Sequence, residues 1–337
     1  MQTLARIILW SLCLALSGTH AADEAAQEPP FQFRPGQTDQ FAGAKCVMRI
    51  SSPAAGLPPV VIWRLTVEQR TLAQGKSALQ TLENAAEEST FEWQTPEIKN
   101  GVVLKATLSC RLGDSEQTIE FPLRLRGPNP FRVVQETLKQ SGIAVYDPLG
   151  ATAEALKELE VPVEVVTSLP DTEEAQLVII GEGVLWDEDL VDEAEQLTQQ
   201  GKFLLVLRPQ AESVWPLPLS AEDVSQFRFN QLADVQRAAG GPVPQTLDVQ
   251  FWDAAKTTRP GWALRIENEK LLLTPGKGSQ VWQMAEYHTL NKGRCVFLGV
   301  PVMADWKSSP VPRELLAGIL TSHLAIQAAM TAGAESH

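Results

Sequence analysis

The stretch "AQLVIIGEGVLWDEDLVDEAEQLTQQGKFLLVL", residues 175–207, decides the fold of the second half of the chain. It contains two apolar runs, one in "AQLVIIGEG" and one in "KFLLVL", separated by a charged segment. Leu190, Val191, Ala194 and Leu197 recur in that segment at helical spacing, so it predicts a helix with one apolar face. Asp187 can cap this helix and Gly201 can end it. Apolar strands that alternate with helices predict a parallel sheet covered on both faces.

The same alternation continues on either side of this stretch. "GIAVYDP" and "VPVEVV" predict two earlier strands around a helix in "GATAEALKELE", and "RCVFLGVPV" predicts a later strand. "SSPVPRELLAGILTSHLAIQAAM" predicts a closing helix with Ser309 as its cap. We therefore predict a doubly wound, mostly parallel α/β sheet over residues 129–330, followed by a tail at residues 331–337.

The first half has a different pattern, with short alternating runs separated by turns. "VVIWRLTV", "STFEWQT", "VVLKATLSCRL" and "QTIEFPLRLRG" are typical of antiparallel strands. Several short strands within about 90 residues predict a β-sandwich, here over residues 39–128. "GPNP" at residues 127–130 is the predicted boundary between the two halves.

The order Cys46, Trp63, Cys110 resembles that of immunoglobulin-like sandwiches, in which a tryptophan packs against a disulfide between the two sheets. The resemblance implies a disulfide between Cys46 and Cys110. Such a bridge would close a loop of about 65 residues and stabilise the fold by roughly 4 kcal/mol. The alternative is two separate buried thiols, and both interpretations make these residues structural.

The amino terminus, "MQTLARIILWSLCLALSGTHA", predicts a signal peptide over residues 1–21, because Arg6 precedes an apolar run and a small-residue cleavage site. Residues 22–38 predict a flexible leader. We therefore expect an exported protein, either periplasmic or extracellular, without a membrane span. A net charge of −13 argues against nucleic acid as a partner.

The first stretch, together with "LNKGRCVFLGVPVMADW" and "PRELLAGIL", resembles the class I glutamine amidotransferase-like domains of exported bacterial proteins. The resemblance covers residues 131–328 and implies a flavodoxin-like α/β domain. An active member has a cysteine on a tight, glycine-flanked elbow with a histidine partner. Here Arg208-Pro209-Gln210 follows the corresponding strand, and Cys295 lies among apolar residues as a predicted core thiol. No catalytic residue is therefore predicted.

Several side chains near strand ends are candidate ligand-binding residues, because ligands of open α/β sheets bind there. They are Asp147, Glu182, Trp186, Arg208, Asp305 and Trp306. The carboxylates could act as acid and base, or could simply cap turns and helices. The tryptophans could stack on sugar rings, or could pack in the core. Neither HExxH nor paired CxxC occurs in the chain, so we predict no metal site and no cofactor.

Taken together, these patterns predict an exported, non-catalytic binding or assembly protein whose partner is a glycan or another protein. The alternative is a carbohydrate-related hydrolase with a carboxylate-based site at the strand ends of the α/β domain. A third hypothesis is a subunit that docks onto a larger exported complex through the edge strands of the sandwich.

Overall fold

The protein is described from a computed structural model. The described residues are 32–33, 38–51, 60–82, 85–113, 118–172, 174–210, 213, 228–238, 241–252, 261–267, 270–276, 282–288 and 293–334. The predicted signal peptide, most of the predicted leader and residues 335–337 lie outside them.

The first half of the chain forms two antiparallel-rich sheets. Its strands are β1 (Gln32–Phe33), β2 (Asp39–Phe41), β3 (Lys45–Ser51), β4 (Val60–Val67), β5 (Arg70–Ala78), β6 (Gln80–Leu82), β7 (Ala85–Gln94), β8 (Val103–Leu112) and β9 (Thr118–Arg126). One sheet has the order β1-β3-β7-β6, and the other, the five-stranded sheet, has the order β2-β9-β8-β4-β5. The pair β1–β3 was not expected, because Gln32–Phe33 lies within the predicted flexible leader.

A single apolar core lies between these two sheets. Alternate residues of β4 and β8 point inward, as the buried Val61, Trp63 and Leu65 show for β4. Trp63 meets Trp93 of the facing sheet edge-on, with ring centroids 5.6 Å apart. The two indoles therefore join the sheets at the centre of this core.

The second half is built on a seven-stranded mixed sheet. Its helices are α1 (Gln135–Ser141), α2 (Ala151–Glu158), α3 (Glu188–Gln199), α4 (Leu232–Arg237) and α5 (Val311–Ala334), with short 3-10 turns at Pro130–Val133, Pro170–Thr172 and Val249–Trp252. Its strands are β10 (Ile143–Tyr146), β11 (Glu164–Val166), β12 (Leu177–Ile180), β13 (Phe203–Val206), β14 (Arg228–Asn230), β15 (Gly261–Glu267), β16 (Lys270–Gly276), β17 (Met284–His288) and β18 (Arg294–Leu298).

The order in the seven-stranded sheet is β11-β10-β12-β13-β18-β17-β14. The first five of these strands are parallel, and β17 and β14 extend the sheet with antiparallel pairing. The strands β15 and β16 form a separate hairpin. The β-rich architecture expected from the sequence is confirmed.

Both faces of the seven-stranded sheet are covered. Phe203 and Leu205 of β13 face a core that α1, α2 and α5 complete, whereas Leu204 and Val206 face a second core completed by α3. Full burial on both faces explains why these strands are continuously apolar.

The predicted helix caps are confirmed in two places. Asp187 accepts a hydrogen bond from the backbone N of Leu190 at 2.9 Å and begins α3. Ser309 accepts one from the backbone N of Val311 at 3.2 Å and begins α5. Helix α5 continues to Ala334, into the segment that was predicted to be a tail.

Candidate functional site

The carboxyl edge of the parallel strands, which we call the crest, consists of residues 147–152, 181–186, 208–210 and 300–306. The chain leaves β10 for β11 on one side and returns to β12 on the other, so the direction of winding reverses between β10 and β12. This is the position where ligands of open α/β sheets bind. All six predicted ligand-binding residues lie within the crest.

Asp147 caps a helix. Its Oδ2 accepts hydrogen bonds from the backbone N of Thr152 at 2.7 Å and of Ala153 at 2.9 Å, in the first turn of α2. A Cβ at Gly181 would lie 2.5 Å from Asp147 Oδ1, so the absence of a side chain there lets the neighbouring loop close over the carboxylate. Asp147 is 6% exposed. The capping interpretation therefore describes this residue.

Glu182 holds three loops of the crest together. Its Oε2 accepts a hydrogen bond from the backbone N of Met303 at 2.7 Å, and its Oε1 lies 3.5 Å from Arg208 Nε. Its own backbone N donates to Thr152 Oγ1 at 3.0 Å. The side chain is 4% exposed, so both carboxylate oxygens are turned into the protein.

Arg208 occupies the place where an elbow nucleophile would stand, and it extends the strand. Its backbone O accepts from Gly183 N at 2.8 Å, and Gln210 N donates to Val184 O at 2.9 Å. Pro209 has no N–H, and it lies between these two pairing positions, where none is needed. The guanidinium stacks 5.5 Å from the ring centroid of Trp262 and pairs with Glu182.

Trp186 and Trp306 are core residues of the crest, 1% and 2% exposed. Trp186 packs against Phe297, with centroids 6.5 Å apart, and Trp306 packs against Phe131 at 6.3 Å. Neither ring presents a face to solvent, so the prediction that they stack on sugars does not describe this conformation. The packing alternative describes it.

Asp305 belongs to a tight turn that leads into α5. Its backbone O accepts from the N–H groups of Ser308 and Ser309, and burial raises the pKa of its carboxyl group, partly offset by a hydrogen bond from Ser308. The adjacent Lys307 pairs with Glu158 at 2.9 Å, which ties the turn to α2. Asp305 therefore supports the loop after β18.

Among the described residues of the second half, Cys295 and the two histidines do not form a catalytic pair. Cys295 is fully buried, and burial raises the pKa of its thiol well above the usual value. His288 pairs with Glu286 at 2.8 Å, and His323 stacks on Phe203 with centroids 4.0 Å apart.

Cys46 and Cys110 are free thiols in the structure, both buried in the sandwich core. The structure thus shows two separate buried thiols, which was the alternative interpretation of the sequence. The disulfide stays a prediction. The thiol of Cys46 lies 3.8 Å from the backbone O of Ala44 and 3.9 Å from that of Phe41. Burial raises the pKa of each thiol to about 12.

Sequence reasoning missed a buried ion cluster, the junction, where the two halves meet. Asp39 Oδ1 accepts from Arg126 Nε at 2.5 Å and Arg124 Nε at 3.0 Å, and its Oδ2 accepts from the backbone N of Asp248 at 3.0 Å. Arg126 also donates to the backbone O of Thr246 at 2.8 Å and lies 3.4 Å from Glu314 Oε2. Arg126 is 1% exposed.

The signal for this junction was present in "LRLRG", because Arg124 and Arg126 lie two residues apart and so share a face of β9. Two cations on one face of a strand next to a domain boundary predict a counter-charge across it. The structure supplies Glu314, whose pKa burial raises, partly offset by the charge of Arg126.

Within the described part of the chain, no group of three His, Cys, Asp or Glu side chains is placed to hold a metal ion. None of the described helices combines the length and apolar character that crossing a membrane requires.

Comparisons with known proteins identify neither a family nor a function for this chain. No protein-family model matches the chain, and no curated protein matches it. Two similar solved structures are "Structural basis of T cell specificity and activation by the bacterial superantigen toxic shock syndrome toxin-1" and "Marsupial T cell receptor". Each has a TM-score of 0.19 and 10% identity over 29% of this chain, covering 97% and 51% of the other chain. Similarity this weak carries no conclusion about function.

Proposed function

We propose that this chain is an exported, non-catalytic binding or assembly protein. In this proposal an immunoglobulin-like sandwich is followed by a doubly wound, glutamine amidotransferase-like α/β domain. The five adjacent parallel strands, with helices against both faces, support the second assignment. Two sheets that share one core with Trp63 at its centre support the first.

The observation that carries the non-catalytic role is the closure of the crest. A catalytic carboxylate or nucleophile must reach a substrate atom within hydrogen-bond distance. Glu182 Oε2 instead accepts from the backbone N of Met303, its Oε1 lies 3.5 Å from Arg208 Nε, and Asp147 caps α2. The position of an elbow nucleophile holds Arg208, which forms an ion pair with Glu182.

The junction supports an assembly role, because it links the two halves of the chain through buried contacts. Arg126 and Asp39 are almost fully buried and hydrogen-bonded on both sides of the boundary. Arg313 adds a hydrogen bond to the backbone O of Pro128 at 2.9 Å and stacks on Phe41 at 4.6 Å. Contacts between the halves would let a partner be recognised by both at once.

The alternative, a carbohydrate-related hydrolase, is favoured by one observation. Burial raises the pKa of Asp305, and a general acid needs a raised pKa to be protonated near neutral pH. The bonding of Asp305 to its own turn opposes this role.

A turnover screen separates the two functions. The purified chain and its Glu182→Gln and Asp305→Asn variants are assayed with chromogenic glycoside and ester substrates. We expect none of the three proteins to hydrolyse any substrate faster than buffer alone does. Turnover by the native chain that either substitution abolishes, in a variant whose circular dichroism spectrum stays native, would establish the hydrolase and end the proposal.

A further inference from the structure

A cleft of about 660 Å³ opens on the outward face of the five-stranded sheet. Strands β4, β5, β8 and β9 line it, and its charged side chains are Arg64, Lys76, Arg111 and Glu120. It lies in the first half of the chain, away from the crest.

Strand register brings the three cations together. Ile62 of β4 pairs with Lys76 of β5 on one side and with Arg111 of β8 on the other. Arg64 lies two residues along β4, on the same face, and is therefore a diagonal neighbour of both cations. Diagonal neighbours in a sheet have Cβ atoms about 7–8 Å apart, which is within reach of long side chains.

Among the described residues, Arg64, Lys76 and Arg111 form neither an ion pair nor a side-chain hydrogen bond, although Glu120 is a diagonal neighbour of Arg111. The acid that lines the cleft, Glu120, accepts a hydrogen bond from Ser109 at 3.3 Å. Neighbouring like charges destabilise a sheet, and an anion bound between them would offset that repulsion.

The two halves of the chain differ in net charge, and the three cations of the cleft lie in the less acidic half. Residues 38–128 contain ten basic and ten acidic residues, whereas residues 129–337 contain sixteen basic and twenty-eight acidic ones. Because its charged lining consists of three cations and one acid, the cleft is a basic surface on the neutral half of an acidic protein. Such a surface attracts an anion that the rest of the molecule repels.

The lining favours a hydroxyl-rich anion over a protein. Protein interfaces depend on large aromatic or aliphatic anchors, but the apolar lining here is Ile62 and the edge of the buried Trp63. The hydroxyl of Ser109 and the carboxylate of Glu120 can bond sugar hydroxyls. Guanidinium groups bind carboxylate and sulfate through paired hydrogen bonds.

We propose that this cleft binds an acidic saccharide, with Arg64, Lys76 and Arg111 pairing with its carboxylate or sulfate groups. Ser109 and Glu120 bind its hydroxyls. This inference rests on the proposed non-catalytic binding role, and it names the site and the class of ligand.

Isothermal titration calorimetry on the purified chain tests the inference with five probes of known composition. These are an oligogalacturonate, a heparin oligosaccharide, a neutral cello-oligosaccharide, inorganic phosphate and a short polyglutamate. At least one acidic saccharide is expected to bind, with affinity that falls as salt is added. The neutral sugar, phosphate and polyglutamate are expected to bind at least about tenfold more weakly.

The triple variant R64Q/K76Q/R111Q should lose at least about tenfold in affinity for that saccharide, because it removes the charge-assisted bonds. The matched control K99Q/K139Q/K157Q removes the same charge from exposed sites away from the outward face of this sheet and should leave the affinity unchanged.

Four results would overturn the inference. Equal binding of phosphate would indicate a simple anion site, and tighter binding of polyglutamate would indicate an acidic protein partner. An unchanged affinity in the triple variant would place the saccharide elsewhere. If no saccharide bound, the proposed saccharide site would be wrong. The proposed non-catalytic role would still stand, because the turnover screen tests it separately.

Discussion

The crest and the cleft contain the same kinds of charged group and use them in opposite ways. At the crest, Glu182 and Arg208 are buried and paired, and they connect loops. In the cleft, Arg64 and Arg111 line an open face and form no ion pair with a described residue. Residues at the expected ligand position of a fold can therefore be structural, while a sheet face elsewhere keeps charges available for binding.

The largest effect is expected when a buried charge of the crest loses its partner. Glu182→Ala leaves Arg208 without its carboxylate and the backbone N of Met303 without an acceptor. Breaking a buried pair in this way costs about 3–5 kcal/mol. Urea unfolding measures the loss, with the exposed Glu174→Ala as the control, expected within about 0.5 kcal/mol. Equal stability of the two variants would show that the crest is not structural.

The junction should respond almost as strongly. Asp39→Asn removes the negative charge beside Arg124 and the fully buried Arg126, and we expect a loss of about 3 kcal/mol. Breaking the exposed Lys45–Glu92 pair with Glu92→Gln should cost at most about 1 kcal/mol. Both are measured by urea unfolding. A loss in Glu92→Gln that matched the loss in Asp39→Asn would contradict the distinction between buried and exposed pairs.

A third effect depends on pH and involves His323. Burial, reinforced by the charge of Arg294, lowers the pKa of His323 from 6.5 to about 4. Because the unfolded chain takes up this proton first, the contribution to stability is present above pH 6.5 and is lost as the pH falls toward 4. The shift corresponds to about 3 kcal/mol. Urea unfolding at several pH values should show that the free energy of unfolding falls less between pH 7 and 4 in His323→Gln than in the native chain.

The control for this pH effect is Ala325→Gln, since Ala325 is exposed on the same helix as His323 and has no titratable group. Its loss of stability in acid should parallel that of the native chain. If His323→Gln and the native chain lost stability identically between pH 7 and 4, the buried, neutral state assigned to His323 would be wrong.

A smaller, kinetic effect concerns the sandwich thiols. Because burial raises the pKa of Cys46 and Cys110 to about 12, few thiolates form at neutral pH and alkylation should be slow until the chain unfolds. Mass spectrometry after iodoacetamide in concentrated urea without reductant should then find both cysteines modified. If both stayed unmodified until a reductant was added, the disulfide implied by the immunoglobulin-like resemblance would be present instead.

The smallest effect on stability belongs to the cleft. The variant R64Q/K76Q/R111Q should change the free energy of unfolding by about 0.5 kcal/mol or less, because its side chains have no described partners to lose. Relief of repulsion favours a slight gain. A loss comparable with that of Glu182→Ala would mean that these cations are structural too, and the contrast between the regions would disappear.

The alternation of apolar runs around Leu177–Ile180 and Phe203–Val206 predicted the strands of the second half, because continuous burial leaves a strong pattern in sequence. Asp187 and Ser309 were predictable as caps because they precede amphipathic segments. The pairing of Glu182 with Arg208 was not, because it depends on the order in which β12 and β13 are placed in the sheet. The cleft was missed for the same reason, since Lys76 and Arg111 are brought together only by strand register.

Binding in the cleft rather than at the crest is tested most directly by hydrogen exchange measured by mass spectrometry, with and without the acidic saccharide that binds most tightly. Slower exchange is expected in β4 and β8, residues 60–67 and 103–112, and unchanged exchange in the crest at residues 147–152 and 181–186. Protection confined to the crest, with β4 and β8 unaffected, would contradict binding in the cleft and return the ligand site to the strand ends.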